Sequence, residues 1–186
     1  MSQKPHVTIH IGGVFASREP AVIKTVLGSC IAVCLRDPVT GVGGMNHFML
    51  PTPPNGDGEE DLARFGVHAM EVLIGEIQKL GGDRDRLQAK IFGGGHVLDI
   101  AESDDGVPQQ NIRFIQQFLR IEGIPLIAHD LGGRGARHIQ FDTGTGTVRL
   151  KRLAGLTALR LAAEREHERQ ARQQLHSSGD ITLFDE

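Results

Sequence analysis

Apolar and polar residues alternate along His6–Ile11 and again along Ala21–Leu27, the two-residue period of half-buried strands, with Glu19-Pro20 supplying the turn between them. A third run, Ile31–Leu35, is apolar throughout, framed by Gly28-Ser29 in front and Asp37-Pro38 behind. Pro38 to Gly41 reads as a hairpin turn into a fourth strand, Val42–Leu50, which Pro51 closes, and the Pro-, Gly- and acid-rich stretch 52–61 reads as a loop. From Asp61 the period changes. Leu62, Phe65, Ala69, Leu73, Ile77 and Leu80 recur at helical spacing, and Gly81-Gly82 stops that helix. Gln88–Phe92 is a short buried strand running into Gly93-Gly94-Gly95. A second amphipathic helix then carries Ile112, Ile115, Phe118 and Leu119 as far as Gly123. Ile124–Ala128 is again extended, and a glycine-rich loop, DLGGRGAR, leads into a hairpin of HIQFD and TVRLKRL around TGTG.

Short strands joined mostly by hairpins, with two long helices, predict an α+β fold: a layered sandwich of mixed β-sheets flanked by two amphipathic helices. At 186 residues the chain can build one good core, so residues 1–155 are read as a single domain. After Gly155 the composition turns charged and Gln-rich, and residues 156–186 are read as a helical C-terminal extension that ends in the apolar ITLFDE.

Composition removes several function classes. A formal charge of −3, with eight Phe and neither Trp nor Tyr, offers no basic field and little stacking surface, so nucleic acid is not an expected partner. No run approaches the ~18 consecutive apolar residues of a membrane span, and MSQKPHVTIH lacks the apolar centre of a signal peptide. The expectation is a cytoplasmic protein without membrane insertion, whose two cysteines are reduced thiols. On one strand Cys30 and Cys34 would lie ~13 Å apart, beyond disulfide reach.

That leaves the question of why an apolar strand stops on a tight turn, VLGSC, and places a thiol there. A small buried Cys packs like any small hydrophobe. Alternatively the turn lifts a nucleophile out of the sheet and surrounds it with backbone N–H groups. Thiol catalysis needs a thiolate, a base to make it and a group to hold the base. Cys30, His47 and Thr25 are the candidates, and a hairpin centred near residue 39 would put residue 30 roughly opposite residue 48. A lone histidine in an apolar strand is otherwise an ordinary core residue. Zinc on Cys30, Cys34 and His47 lacks a fourth ligand and has unsuitable strand geometry, while His129, Asp130 and His138 lack a carboxylate-rich surround. No metal and no cofactor is expected. The loops FGGGH and LGGRGAR match no phosphate cradle, and read instead as places where the backbone must pass close to something.

The segments TVLGSCIAVCLRDP, GVGGMNHFMLP, AKIFGGGH and IPLIAHDLGGRGARHIQFDTGTGTVRLKR, in that order and spacing, resemble the CheD family of chemoreceptor glutamine deamidases over about residues 6 to 153. The resemblance implies an amidohydrolase that converts glutamine side chains of methyl-accepting chemotaxis receptors to glutamate with release of ammonia. It implies a cysteine nucleophile at Cys30, a base at His47 and an orienting Thr25, with Gly28 and Ser29 as the oxyanion turn. It also implies a fold like that of glutamine-deamidating toxins, chemoreceptor helices as the protein substrate, and a CheC-type phosphatase as a further partner. A regulator of that phosphatase with idle or secondary catalysis is the alternative reading.

Overall fold

The computed structural model describes residues 4–50, 59–96 and 106–153, with side chains of the first helix described from Phe65 onward. In chain order the elements are β1 (His6–Thr8), β2 (Val14–Ser17), β3 (Val22–Leu27), β4 (Ile31–Arg36), β5 (Gly43–Phe48), α1 (Glu59–Lys79), β6 (Gln88–Gly93), α2 (Val107–Ile121), β7 (Leu126–Leu131), β8 (Ala136–Asp142) and β9 (Val148–Leu153). One sheet has the order β1-β3-β8-β9 and the other β2-β5-β4-β6-β7. The β1–β3 and β6–β7 pairs are parallel and the rest antiparallel, so both sheets are mixed, as the hairpin-rich sequence implies.

Residue alternation explains the layering. Along β4, Ile31, Val33 and Leu35 pack with Met70, Leu73, Ile74, Ile77 and Ile115 from the two helices. Ala32 and Cys34 point the other way, toward Ile23, Leu27, Ile139 and Phe141 of the facing sheet. Because β4 is covered on both faces, its sequence is a continuous apolar run rather than an alternating one. The strand β3 is covered on one face only and keeps the alternation, with Ile23, Thr25 and Leu27 inward. The molecule is thus a sheet, a second sheet and a helical layer, with both helices on the same side.

Several elements differ from their sequence-based limits. The strand β2 was not expected, since four residues of intermediate burial carry no periodicity; it is recruited by pairing with β5. The first strand stops at Thr8, because Ile11 and Gly12 form a turn, and β5 spans Gly43–Phe48 rather than 42–50. The strand β7 runs on to Leu131, pairing with β6, so the glycine-rich stretch is extended at its start. The loop expected at 52–61 gives up its last three residues to α1, which starts at Glu59 instead of Asp61; the rest of that loop and the extension at 156–186 lie outside the described residues.

The β4–β5 turn fixes the register on which the site depends. Asp37 is buried; its carboxylate accepts hydrogen bonds from the Val39 N–H (2.9 Å), the Asp83 N–H (3.0 Å) and Arg86 Nη2 (2.7 Å). The Arg86 guanidinium, and then the backbone donors, hold the carboxyl well below the usual range against the opposing effect of burial. Asp37→Ala is expected to cost on the order of 2 kcal/mol, less than a fully buried pair because Arg86 is part-exposed. A carboxyl depressed in the fold contributes its stability fully above the unfolded value of ~3.9, and loses it as pH falls through the lower folded value. Urea unfolding from pH 7 down to about pH 2 checks this, because the wild type should lose its advantage over Asp37→Ala progressively below ~3.9.

Candidate active site

The register of β4 on β5 pairs Ile31 with Phe48 and Ala32 with His47. Cys30 therefore lies one step beyond the first paired residue and two from Ala32, on the face that Ala32 and His47 share. A hairpin centred near residue 39 would put residue 30 opposite residue 48, and the observed register is one residue different. That difference is what places Cys30 and His47 on the same side of the sheet, turned toward β3, because a slip of one residue turns a side chain to the other face.

From β3, Thr25 completes the group. Its Oγ1 lies 2.8 Å from His47 Nδ1, and the same hydroxyl donates to the Ile9 carbonyl oxygen at 2.9 Å. A hydroxyl has one proton to give. With that proton directed to Ile9, the Thr25 oxygen can only accept from the ring, which assigns the proton of neutral His47 to Nδ1 and leaves Nε2 as the basic nitrogen. The His47 backbone is also fixed, since its N–H donates to Gly13 O (3.0 Å) and its carbonyl accepts from Gly12 N (2.7 Å). Thr25 and His47 are both buried, so no bulk water competes for these bonds.

The turn before Cys30 is held by its carbonyl groups. Gly28 O accepts from Gly95 N (2.7 Å), Cys30 O from Gly94 N (2.8 Å), and Ser29 O from Asn111 Nδ2 (2.9 Å). This is the close approach for which the FGGGH loop keeps its glycines. Gly93 has φ of +121°, and a Cβ there would fall 1.9 Å from Cys30 O, so no other residue fits beside this turn.

One expectation is corrected. The turn does not lift Cys30 out of the sheet: the residue is 0% exposed and packs with Leu27, Ala32 and Met45. The physical reason is that β4 is an inner strand covered on both faces, so its leading residue still points between the two sheets. Ser29 beside it is part-buried, with its hydroxyl toward Met49. Both cysteines are free thiols, and burial pushes the Cys34 thiol far above its ordinary value.

Other candidates resolve into structural roles. Among the described residues no group of three or more His, Cys, Asp or Glu is arranged to hold a metal ion. Asp130 instead pairs with Arg137 and with Arg152 (2.7 Å). His138 lies on β8, its pKa lowered by burial and by the nearby Lys24 and Lys151 charges. Two contributors were missed. Arg137 is fully buried and donates to the carbonyl groups of Asp130 (2.6 Å) and Gly132, tying down the 130–135 loop. Asn111 reads in sequence as one polar residue of an amphipathic helix, and only the tertiary fold brings it to the turn.

Among the described residues, no helix is long and apolar enough to cross a membrane. Comparison with known proteins agrees with the sequence resemblance. A family model described as "CheD chemotactic sensory transduction" matches residues 49–152, a stretch that begins just after His47. A Caulobacter sp. (strain K31) protein named "Probable chemoreceptor glutamine deamidase CheD" is 44% identical over 183 residues, covering 97% of this chain and 94% of that protein. A Shewanella oneidensis protein, "Probable chemoreceptor glutamine deamidase CheD 1", is 43% identical over 189 residues, covering 99% and 90%. A solved structure of the Bacillus licheniformis hypothetical protein YfiH aligns with a TM-score of 0.42 at 16% identity, over 63% of this chain and 49% of that one. With more than half of its length matched by the family model and its near-full length matched by such relatives, this chain belongs to the CheD family.

Proposed function

We propose that this protein deamidates glutamine side chains of chemoreceptors to glutamate, with Cys30 as nucleophile, His47 as general base and acid, and Thr25 as the residue that orients the imidazole. His47 Nε2 takes the Cys30 Sγ proton, and the thiolate attacks the carboxamide carbon. The resulting oxyanion is met by backbone N–H groups of the Ser29–Cys30 turn. The imidazolium returns its proton to the amide nitrogen, the C–N bond breaks, and ammonia leaves a thioester on Cys30. Water then attacks the thioester with His47 again as base; the C–S bond breaks and glutamate and free thiol are restored. The observation that carries this reading is the Thr25–His47 bond, because the second bond from Thr25 to Ile9 dictates the tautomer that this chemistry needs.

Burial of Cys30 adds a condition: a glutamine side chain reaches the thiol only when the turn gives locally, and a folded receptor helix supplies more binding energy for that than a free amino acid. Incubation with a purified receptor cytoplasmic domain should therefore raise its mass by about one unit per converted glutamine, with ammonia released in equal amount, while free glutamine is hardly hydrolysed. Efficient hydrolysis of free glutamine with an unchanged receptor would overturn the proposal in favour of a metabolic glutaminase.

Thr25→Val gives a finer check. It keeps nucleophile and base but removes the acceptor at Nδ1, so kcat should fall roughly tenfold to a hundredfold with KM little changed. A wild-type kcat in this variant would mean that the ring is oriented by another group.

A further inference from the structure

Asn111, on α2, is completely buried, a costly position for an amide unless both its ends are used. Both are used. Its Oδ1 accepts the Leu50 N–H at 2.9 Å, and its Nδ2 donates to Ser29 O at 2.9 Å. Leu50 lies just past the end of β5, three positions beyond His47, and Ser29 immediately precedes Cys30. One side chain thus ties the end of the histidine's strand to the turn that carries the cysteine.

The bond to Ser29 has a directional consequence. A trans peptide is planar, with its C=O and N–H on opposite sides, so drawing the Ser29 carbonyl toward α2 aims the Cys30 N–H away from α2. The preceding peptide is set in the same manner, since Gly95 N–H holds Gly28 O. We infer that Asn111 is a positioning residue for the oxyanion-binding turn: through its bonds to Ser29 O and Leu50 N–H it aims the Cys30 N–H at the developing oxyanion. The inference rests on the proposed role of Cys30 as nucleophile. Beside the backbone donors Gly94 N–H and Gly95 N–H, Asn111 holds the turn through a side chain, which can be removed without altering the backbone. Asn is also the side chain that the site demands, offering a donor and an acceptor on one short planar group. Asp lacks the donor when ionised, and Leu lacks both.

An oxyanion donor acts in the transition state and not in substrate binding, and it has no part in an SN2 alkylation of the thiol. Those two facts separate aiming of the turn from general support of the fold. With the purified receptor domain as substrate, Asn111→Ala should lower kcat roughly tenfold to a hundredfold and leave KM within about twofold. The rate at which iodoacetamide labels Cys30 should stay within about threefold of wild type, because thiolate and base remain in place. Asn111→Asp keeps the acceptor for Leu50 and regains a donor to Ser29 O only when protonated. Its kcat relative to wild type should therefore rise as pH is lowered, and this variant carries the test if Asn111→Ala does not fold. Thr143→Ala serves as control: it removes a buried hydrogen bond to Ala21 N–H at the far end of β3, and should lower the melting temperature without changing kcat. An unchanged kcat in the Asn111 variants, a labelling rate that falls in parallel with kcat, or an Asn111→Asp ratio that is flat with pH would each overturn the inference alone. Deamidation that survives Cys30→Ala would overturn the nucleophile assignment and the inference with it.

Discussion

Cys30→Ala is expected to abolish ammonia release from a receptor domain, a loss of roughly 10⁴-fold or more in kcat, whereas Cys34→Ala should keep most of the activity. Both thiols are buried, four residues apart and on the same face of the same sheet, so neither burial nor neighbourhood distinguishes them. Placement does. Cys30 ends the turn whose successive carbonyls are held by Gly95, Asn111 and Gly94, and it adjoins the strand position that pairs with Phe48. Cys34 sits in mid-strand opposite Met45, where desolvation pushes its thiol upward and keeps it protonated at neutral pH despite the Lys90 charge. Its replacement by Ala leaves a small cavity and should cost about 1 kcal/mol of stability. Equal loss of activity in both variants, each still folded by near-ultraviolet dichroism and melting, would contradict the assignment.

The second large effect is expected at His47. His47→Ala removes the proposed base for the thiolate and the proposed acid for departing ammonia, so kcat should fall roughly 10³-fold or more. Labelling of Cys30 by iodoacetamide at pH 7 should slow by about an order of magnitude as well, because thiolate formation then depends on the unassisted thiol. The two readouts should move together here. That parallel fall contrasts with the behaviour expected of Asn111 variants, where labelling persists and turnover fails, so the same pair of measurements assigns the two residues to different steps. Thr25→Val belongs between them, with a smaller fall in kcat.

Much of this was legible in the chain because the site is local. Cys30, His47 and the turn between their strands lie within one hairpin, and Asp37-Pro38 with Gly41 marks that hairpin in the sequence itself. The exact register came only with the fold: pairing residue 30 with residue 48 would turn Cys30 and His47 to opposite faces, and the observed pairing of Ala32 with His47 turns them to the same one. Thr25 is a candidate because it precedes the turn in sequence; that it stands on the inward-facing set of β3, a strand of the other sheet, came with the fold. What was not legible depends on long-range contacts. The burial of Cys30 follows from β4 becoming an inner strand between β5 and β6, and β6 is more than fifty residues away in the chain. The strand β2 exists because β5 offers it an edge, not because VFAS has a strand pattern of its own. The bridging role of Asn111 depends on where α2 docks, and a helix pattern alone shows only that the position is polar. The glycines of FGGGH fall between these cases. Their need for a close approach could be read from the sequence, but the identity of what they approach, the Cys30 turn, came only with the fold.

The central claim is that a thioester on Cys30 lies between glutamine and glutamate, and hydroxylamine tests it most directly. Hydroxylamine intercepts a thioester faster than water does, converting the receptor's glutamine to a hydroxamate, a gain of about 16 mass units in place of about one. The receptor domain is incubated with the wild-type protein at rising hydroxylamine concentration and its tryptic peptides are weighed. The hydroxamate should grow at the expense of glutamate at the same glutamine positions, and with Cys30→Ala neither product should form. Glutamate as the sole product at every hydroxylamine concentration, or either product formed by Cys30→Ala, would contradict the account.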